Sequence, residues 1–105
     1  MTEDQILCAS SIYERKFYIN PRYSETLPTQ IKQELKALSV LYTEDVGGIL
    51  TMQFDNDGNL YFSTTAKESD FEYDEIGAEL KIKQYREKYK DLIEDLELYY
   101  QTFFC

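Results

Sequence analysis

ILTMQFDNDGNLYFSTT, residues 49–65, is the stretch on whose reading the fold turns. Its centre, Asp55-Asn56-Asp57-Gly58-Asn59, opens like a calcium-binding EF-hand loop, with oxygen-bearing side chains at loop positions 1, 3 and 5. The later positions break the pattern. The sixth, where glycine makes the sharp bend, is Leu60, and the twelfth, where a bidentate glutamate closes the coordination sphere, is Ala66. An EF-hand also needs a helix on each side. Here Leu50, Met52 and Phe54 alternate before the turn and Leu60, Phe62 and Thr64 after it, which is the two-residue period of strands.

Register makes the same choice. A two-residue Asp57-Gly58 loop would pair Phe54 with Tyr61 and divide the apolar side chains between two faces. A three-residue loop, Asn56-Asp57-Gly58, pairs Phe54 with Leu60, Met52 with Phe62 and Leu50 with Thr64, so all five large apolar side chains share one face. Such a loop needs a left-handed residue at its third position, which is Gly58. The stretch reads as a hairpin of strands 49–54 and 60–65, with its other face (Thr51, Gln53, Tyr61, Ser63 and Thr65) polar and wet. Weak surface calcium binding by Asp55, Asp57 and Asn59 is the alternative.

Upstream, Pro28 suits a first helical turn, and Ile31, Leu35, Leu38 and Tyr42 follow at steps of four, three and four, the period of an amphipathic helix over 28–43. Gly47-Gly48 then provides the backbone freedom to leave a helix and enter a strand. Residues 5–19, QILCASSIYERKFYI, fit no single period; a strand is expected near 15–19, and the segment before it reads as strand or helix. Downstream, Ile76, Leu80, Tyr85, Tyr89, Leu92, Leu96, Tyr99 and Phe103 predict a long helix over about 74–103, with Asp74 or Ser69 as N-cap and Gly77 as a weak point in its first turn. At about 45 Å it is longer than a compact domain of this size covers, so part of it is expected to pack on something besides its own sheet. The expected architecture is α+β, a single domain over 1–105: a small antiparallel sheet covered on its apolar face by the 28–43 helix and part of the C-terminal helix.

The chain has 105 residues, 43% hydrophobic and 30% charged, a composition of folded rather than disordered proteins. Twenty acids against eleven bases give a net charge of -9, which repels nucleic acid and anionic lipid. The longest uncharged stretches, Val46 to Phe54 among them, are far short of the roughly 20 residues of a membrane span. The start, MTEDQILCASS, lacks the basic n-region of a signal peptide, and a cytoplasmic location is the expectation. Cys8 and Cys105 form no CxxC pair and predict neither a disulfide framework nor a zinc site.

No histidine is present, so the usual base at neutral pH is missing and any catalysis would fall to carboxylates, Tyr, Lys or Cys. The acidic run Glu68, Asp70, Glu72, Asp74, Glu75 reads as solvated residues before a helix, where negative charge also suits the dipole. Gly47-Gly48 has no nearby basic residue or GKS pattern with which to hold a phosphate. No cofactor and no metal are expected.

In the C-terminal helix, Tyr89, Tyr99 and Tyr100 are residues of the kind interfaces favour, with ordinary core packing as the alternative. Lys83 and Arg86 precede Glu94 and Glu97, so two antiparallel copies centred near Lys90 would set Arg86 against Glu94 and Lys83 against Glu97. The same charges are also spaced to pair within one helix.

LPTQIKQELKALSVLYTEDVGGILTMQFDNDGNLYF, followed by YDEIG and LELYY, resembles a family of small uncharacterised cytosolic proteins from clostridia-like Firmicutes, a domain of unknown function. The resemblance runs from YERKFYIN at 13–20 to LELYY at 96–100 and implies a bacterial cytosolic domain, with no activity or catalytic residue attached. The expected function is a non-catalytic protein-interaction module, associating through its C-terminal helix with itself or with an unidentified protein. An acidic decoy or chaperone-like binder of a basic protein surface is the alternative, and a carboxylate/tyrosine enzyme a weaker one.

Overall fold

A computed structural model of the chain describes residues 5–104 as a four-stranded antiparallel sheet with helices on one side. The elements are β1 (Ile6–Ser11), β2 (Lys16–Ile19), α1 (Pro21–Ser24), α2 (Thr29–Val46), β3 (Ile49–Phe54), β4 (Leu60–Thr65), α3 (Glu75–Lys88) and α4 (Lys90–Phe103), and the sheet order is β2-β1-β3-β4. Cys105 lies outside the described residues. This is the α+β architecture expected, with β1, whose segment the periodicity left open between strand and helix, and the short α1 added to it.

The central hairpin takes the three-residue loop. Phe54 pairs with Leu60, Met52 with Phe62 and Leu50 with Thr64. Gly58 sits at φ 86, the left-handed conformation the loop needs. The Asp55 carboxylate accepts the N–H groups of Asp57 (2.9 Å) and Asn59 (2.8 Å) and the Asn59 amide (3.2 Å). Its oxygens thus close the turn as an Asx motif.

β1 pairs with β2 and with β3, and its register shifts between Ile6 and Cys8. The shift explains why this segment showed no clean alternation: at a bulge two successive residues oppose one, and here both Leu7 and Cys8 are fully buried. β2 begins within the expected strand, and Asn20 ends it by capping α1, its side chain accepting from the N–H of Arg22 at 3.0 Å. α2 starts one residue later and ends three residues later than its spacing indicated, with Pro28 at its N-cap. Leu35, Leu38 and Tyr42 point into the core, and Ser39 and Thr43 are buried with them. Their hydroxyls are satisfied, Thr43 by the Ser39 carbonyl (3.1 Å) and by Ser10 (3.1 Å).

The C-terminal segment is two helices. At Tyr89 (φ -107, ψ 27) the backbone leaves helical geometry, although the N–H of Tyr89 still reaches the Tyr85 carbonyl and that of Ile93 the Tyr89 carbonyl. No proline or glycine marks the break in the sequence. Each half is about 21 Å long, within reach of a small sheet, and both pack on the domain's own core, α3 through Ala78 and Ile82 and α4 through Leu92, Ile93, Leu96 and Tyr100. The surplus length expected of a straight helix is therefore absorbed by the break. Asp74 caps α3, its carboxylate accepting the N–H of Gly77 at 3.0 Å, and Gly77 stays within the helix.

Candidate functional site on the open face of the sheet

Alternation assigns each strand residue to a face. Cys8, Ser10, Phe17, Ile19, Leu50, Met52, Phe54, Leu60 and Phe62 lie on the face that packs on the helices. The opposite face presents three cross-strand rows: Lys16, Ser11, Ile49 and Thr65; Tyr18, Ala9, Thr51 and Ser63; and Ile6, Gln53 and Tyr61. None of these eleven residues is buried, and Tyr18 and Tyr61 are about half exposed at 51% and 48%. In a chain that is 30% charged, eleven positions would hold about three charges; they hold one, Lys16. The centre is built of small side chains and the two outer strands each contribute a tyrosine.

The two ends of this face differ in charge. At the β1–β2 end a cavity of about 410 Å³ is lined by Ala9, Ser11, Tyr13, Glu14, Lys16, Tyr18, Ile49 and Lys67, among others. Tyr13 is fixed there: its hydroxyl donates to Asp70 at 2.6 Å and accepts the N–H of Lys67 at 3.2 Å, while the Lys67 ammonium stands 4.7 Å from its ring. The Asp70 hydrogen bond holds the Tyr13 phenol above its ordinary pKa. At the opposite end lies the β3–β4 turn with Asp55 and Asp57. The Asp55 carboxyl is held below the usual aspartate value, first by the Asn59 N–H, and it raises the pKa of the Tyr61 phenol hydrogen-bonded to it. That downward direction is opposite to what a general acid at neutral pH needs.

The residues singled out in the C-terminal segment fall into two groups. Lys83, Arg86, Glu94 and Glu97 are brought together, with Lys90, along one groove of about 390 Å³ at the break between α3 and α4. Arg86 and Glu97 are engaged within the chain: the Arg86 guanidinium donates to the Leu60 carbonyl (2.9 Å) and lies 5.1 Å from the Phe62 ring centre, and Glu97 accepts the Leu60 N–H (2.8 Å). Lys83 and Glu94 are exposed. A straight antiparallel pairing centred near Lys90 has no straight helix to run along, because the break sits at the neighbouring residue.

The tyrosines face inward. Tyr100 is 7% exposed and stacks on Phe54 with ring centres 4.2 Å apart. Tyr99 packs edge-on to Tyr23, with its hydroxyl on Thr26, and Tyr89 stacks on Tyr85. Tyr85 in turn donates to Asp45, and burial with that carboxylate pushes its phenol up to about 12. Among the described residues no group of three or more acidic or thiol side chains is placed to hold a metal ion, and no helix is long and apolar enough to cross a membrane. The open-face residues of β1 are masked in the sequence because the bulge hides their alternation; the scarcity of charge in LYFSTT and ILTMQF is the available signal.

A model of a family of unknown function, DUF6145, matches residues 4–105. The chain belongs to DUF6145. No curated protein and no solved structure matches it. The DUF6145 match spans both the hairpin and the C-terminal helices, so the open face and the elbow groove fall within one family domain.

Proposed function

We propose that this DUF6145 chain is a non-catalytic protein-interaction module whose main contact surface is the bare face of its sheet. The observation that carries this reading is the near-absence of charge on that face in a chain of net charge -9. Strands in general carry few Lys, Glu and Asp; interface centres are depleted in charge and also enriched in tyrosine, and this face has both features. The small central residues and flanking Tyr18 and Tyr61 suit a partner element laid across the strands.

A second surface is supported by the outer side of α4, where exposed Asp91, Glu94 and Asp95 surround Leu98, itself 64% exposed. That composition suits a basic partner and keeps the acidic-decoy reading alongside the first. With them goes a bacterial, cytosolic setting, which rests on the resemblance to proteins of clostridia-like Firmicutes.

Capture experiments with the full chain test the reading. Thr51→Glu puts a charge at the centre of the open face; Gln33→Glu puts one on the exposed side of α2. The expected result is that Thr51→Glu, folded by circular dichroism, loses the partners retained by wild type and by Gln33→Glu. Equal capture by all three overturns the assignment of the surface.

A further inference from the structure

We infer that the occupant of the open face is a second copy of this chain, packed face to face about a two-fold axis that lies midway between the two sheets and runs across the strands. The inference rests on the reading above, that this face is the contact surface, and adds the partner. Its basis is charge.

Two copies that each carry a net charge of -9 repel wherever acidic surfaces meet. The open face is where they can approach with one charge, Lys16, per copy among the strand residues. The ends of the face then choose between two arrangements. An axis parallel to the strands would set like ends together, with the turn that carries Asp55 and Asp57 in one copy against the same turn in the other. An axis across the strands reverses one copy end for end, so that Lys67, beyond the end of β4, comes against the turn that carries Asp55 and Asp57 in the other. The contact is made twice, once from each copy, as an isologous interface requires. Tyr61 at the acidic end then meets Thr65 and Lys67 of the other copy.

Geometry also sets the strength. Four strands about 4.8 Å apart and six residues long at about 3.4 Å each cover a plane of roughly 400 Å². A standard interface buries about 800 Å² on each partner. The dimer is accordingly weak and concentration-dependent, with no obligate character.

Sedimentation equilibrium of the full chain between about 10 μM and 1 mM reads this directly. The apparent mass is expected to rise from 12.5 kDa towards twice that value. Asp57 is the acidic residue to exchange, because the Asp55 carboxylate holds the turn. Lys67→Glu and Asp57→Lys, each alone, are expected to raise the dimer dissociation constant roughly tenfold. The double variant, which swaps both ends of the same chain, is expected to return to within about twofold of wild type, a rescue that loss of a merely structural contact would not show. Monomer throughout the range, a dimer indifferent to the single changes, or a double variant no better than the singles each overturns the proposal. A strict monomer whose partner capture is still abolished by Thr51→Glu overturns the second copy while leaving the open face as the contact surface.

Discussion

Glu97, near the middle of α4, accepts the backbone N–H of Leu60, the first residue of β4, at 2.8 Å, while Arg86 from α3 donates to the carbonyl of the same residue. β4 is an edge strand, and an open edge is a template for pairing with other chains. Two side chains from two helices occupy its first backbone groups. They also tie the hairpin to both sides of the break at Tyr89. Glu97→Ala leaves a part-buried N–H without its acceptor and is expected to destabilise the fold by about 1–2 kcal/mol in urea denaturation. Glu97→Gln, which keeps an acceptor oxygen, is expected to lose less than half as much.

Gly58 has a second reason to be glycine beyond its φ of 86. A Cβ there would run into the side chain of Gln101, whose amide donates to the Gly58 carbonyl at 3.4 Å. Gly58→Ala is expected to cost about 1–3 kcal/mol, mostly from the left-handed backbone. Pairing Gly58→Ala with Gln101→Ala separates the two causes: thermal unfolding of the double variant recovers the steric share and leaves the backbone share.

The Asp55 carboxyl titrates lower in the folded chain than in the unfolded one, chiefly because it accepts the Asn59 N–H. Its contribution to stability is therefore fully present above the ordinary aspartate value of 3.8 and is lost as pH falls through the lower folded value. Melting curves of wild type and Asp55→Asn between about pH 2 and pH 6 are expected to converge at the acid end. Millimolar calcium is expected to leave the melting temperature of the wild type unchanged, since the Asp55 oxygens are engaged by N–H groups of the turn.

Truncation after Glu87 removes α4 and with it the buried side chains of Leu92, Ile93, Leu96 and Tyr100. At about 1.5–3 kcal/mol for each large apolar side chain, the loss rivals the whole stability of a small domain. The truncated chain is expected to be unfolded by circular dichroism. A folded truncation product would show that α4 is an appendage rather than part of the core.

The hairpin was legible residue by residue because its burial follows a period of two and its loop has a single residue suited to positive φ. α2 was legible for the corresponding reason at a period of 3.6. β1 was not, because the bulge at Leu7 places two neighbours in the core and erases the alternation. The break at Tyr89 was hidden because the apolar stripe runs through it unchanged, from Ile82 and Tyr85 to Leu92 and Leu96, and no proline or glycine stands there. The charged residues of the C-terminal segment stood out by their order, yet Arg86 and Glu97 serve the chain's own edge strand. The open face went unnoticed as a whole because it is assembled from four strands, none of which is conspicuous alone.

A photo-crosslinking residue placed at Thr51 in the full chain in living cells reads out whether the bare face of the sheet is where this protein meets its partner. A discrete covalent adduct is expected from Thr51, and a second from Ser63 on the neighbouring strand, with none from Gln33 on the outer side of α2. Adducts from Gln33 with Thr51 silent would contradict it.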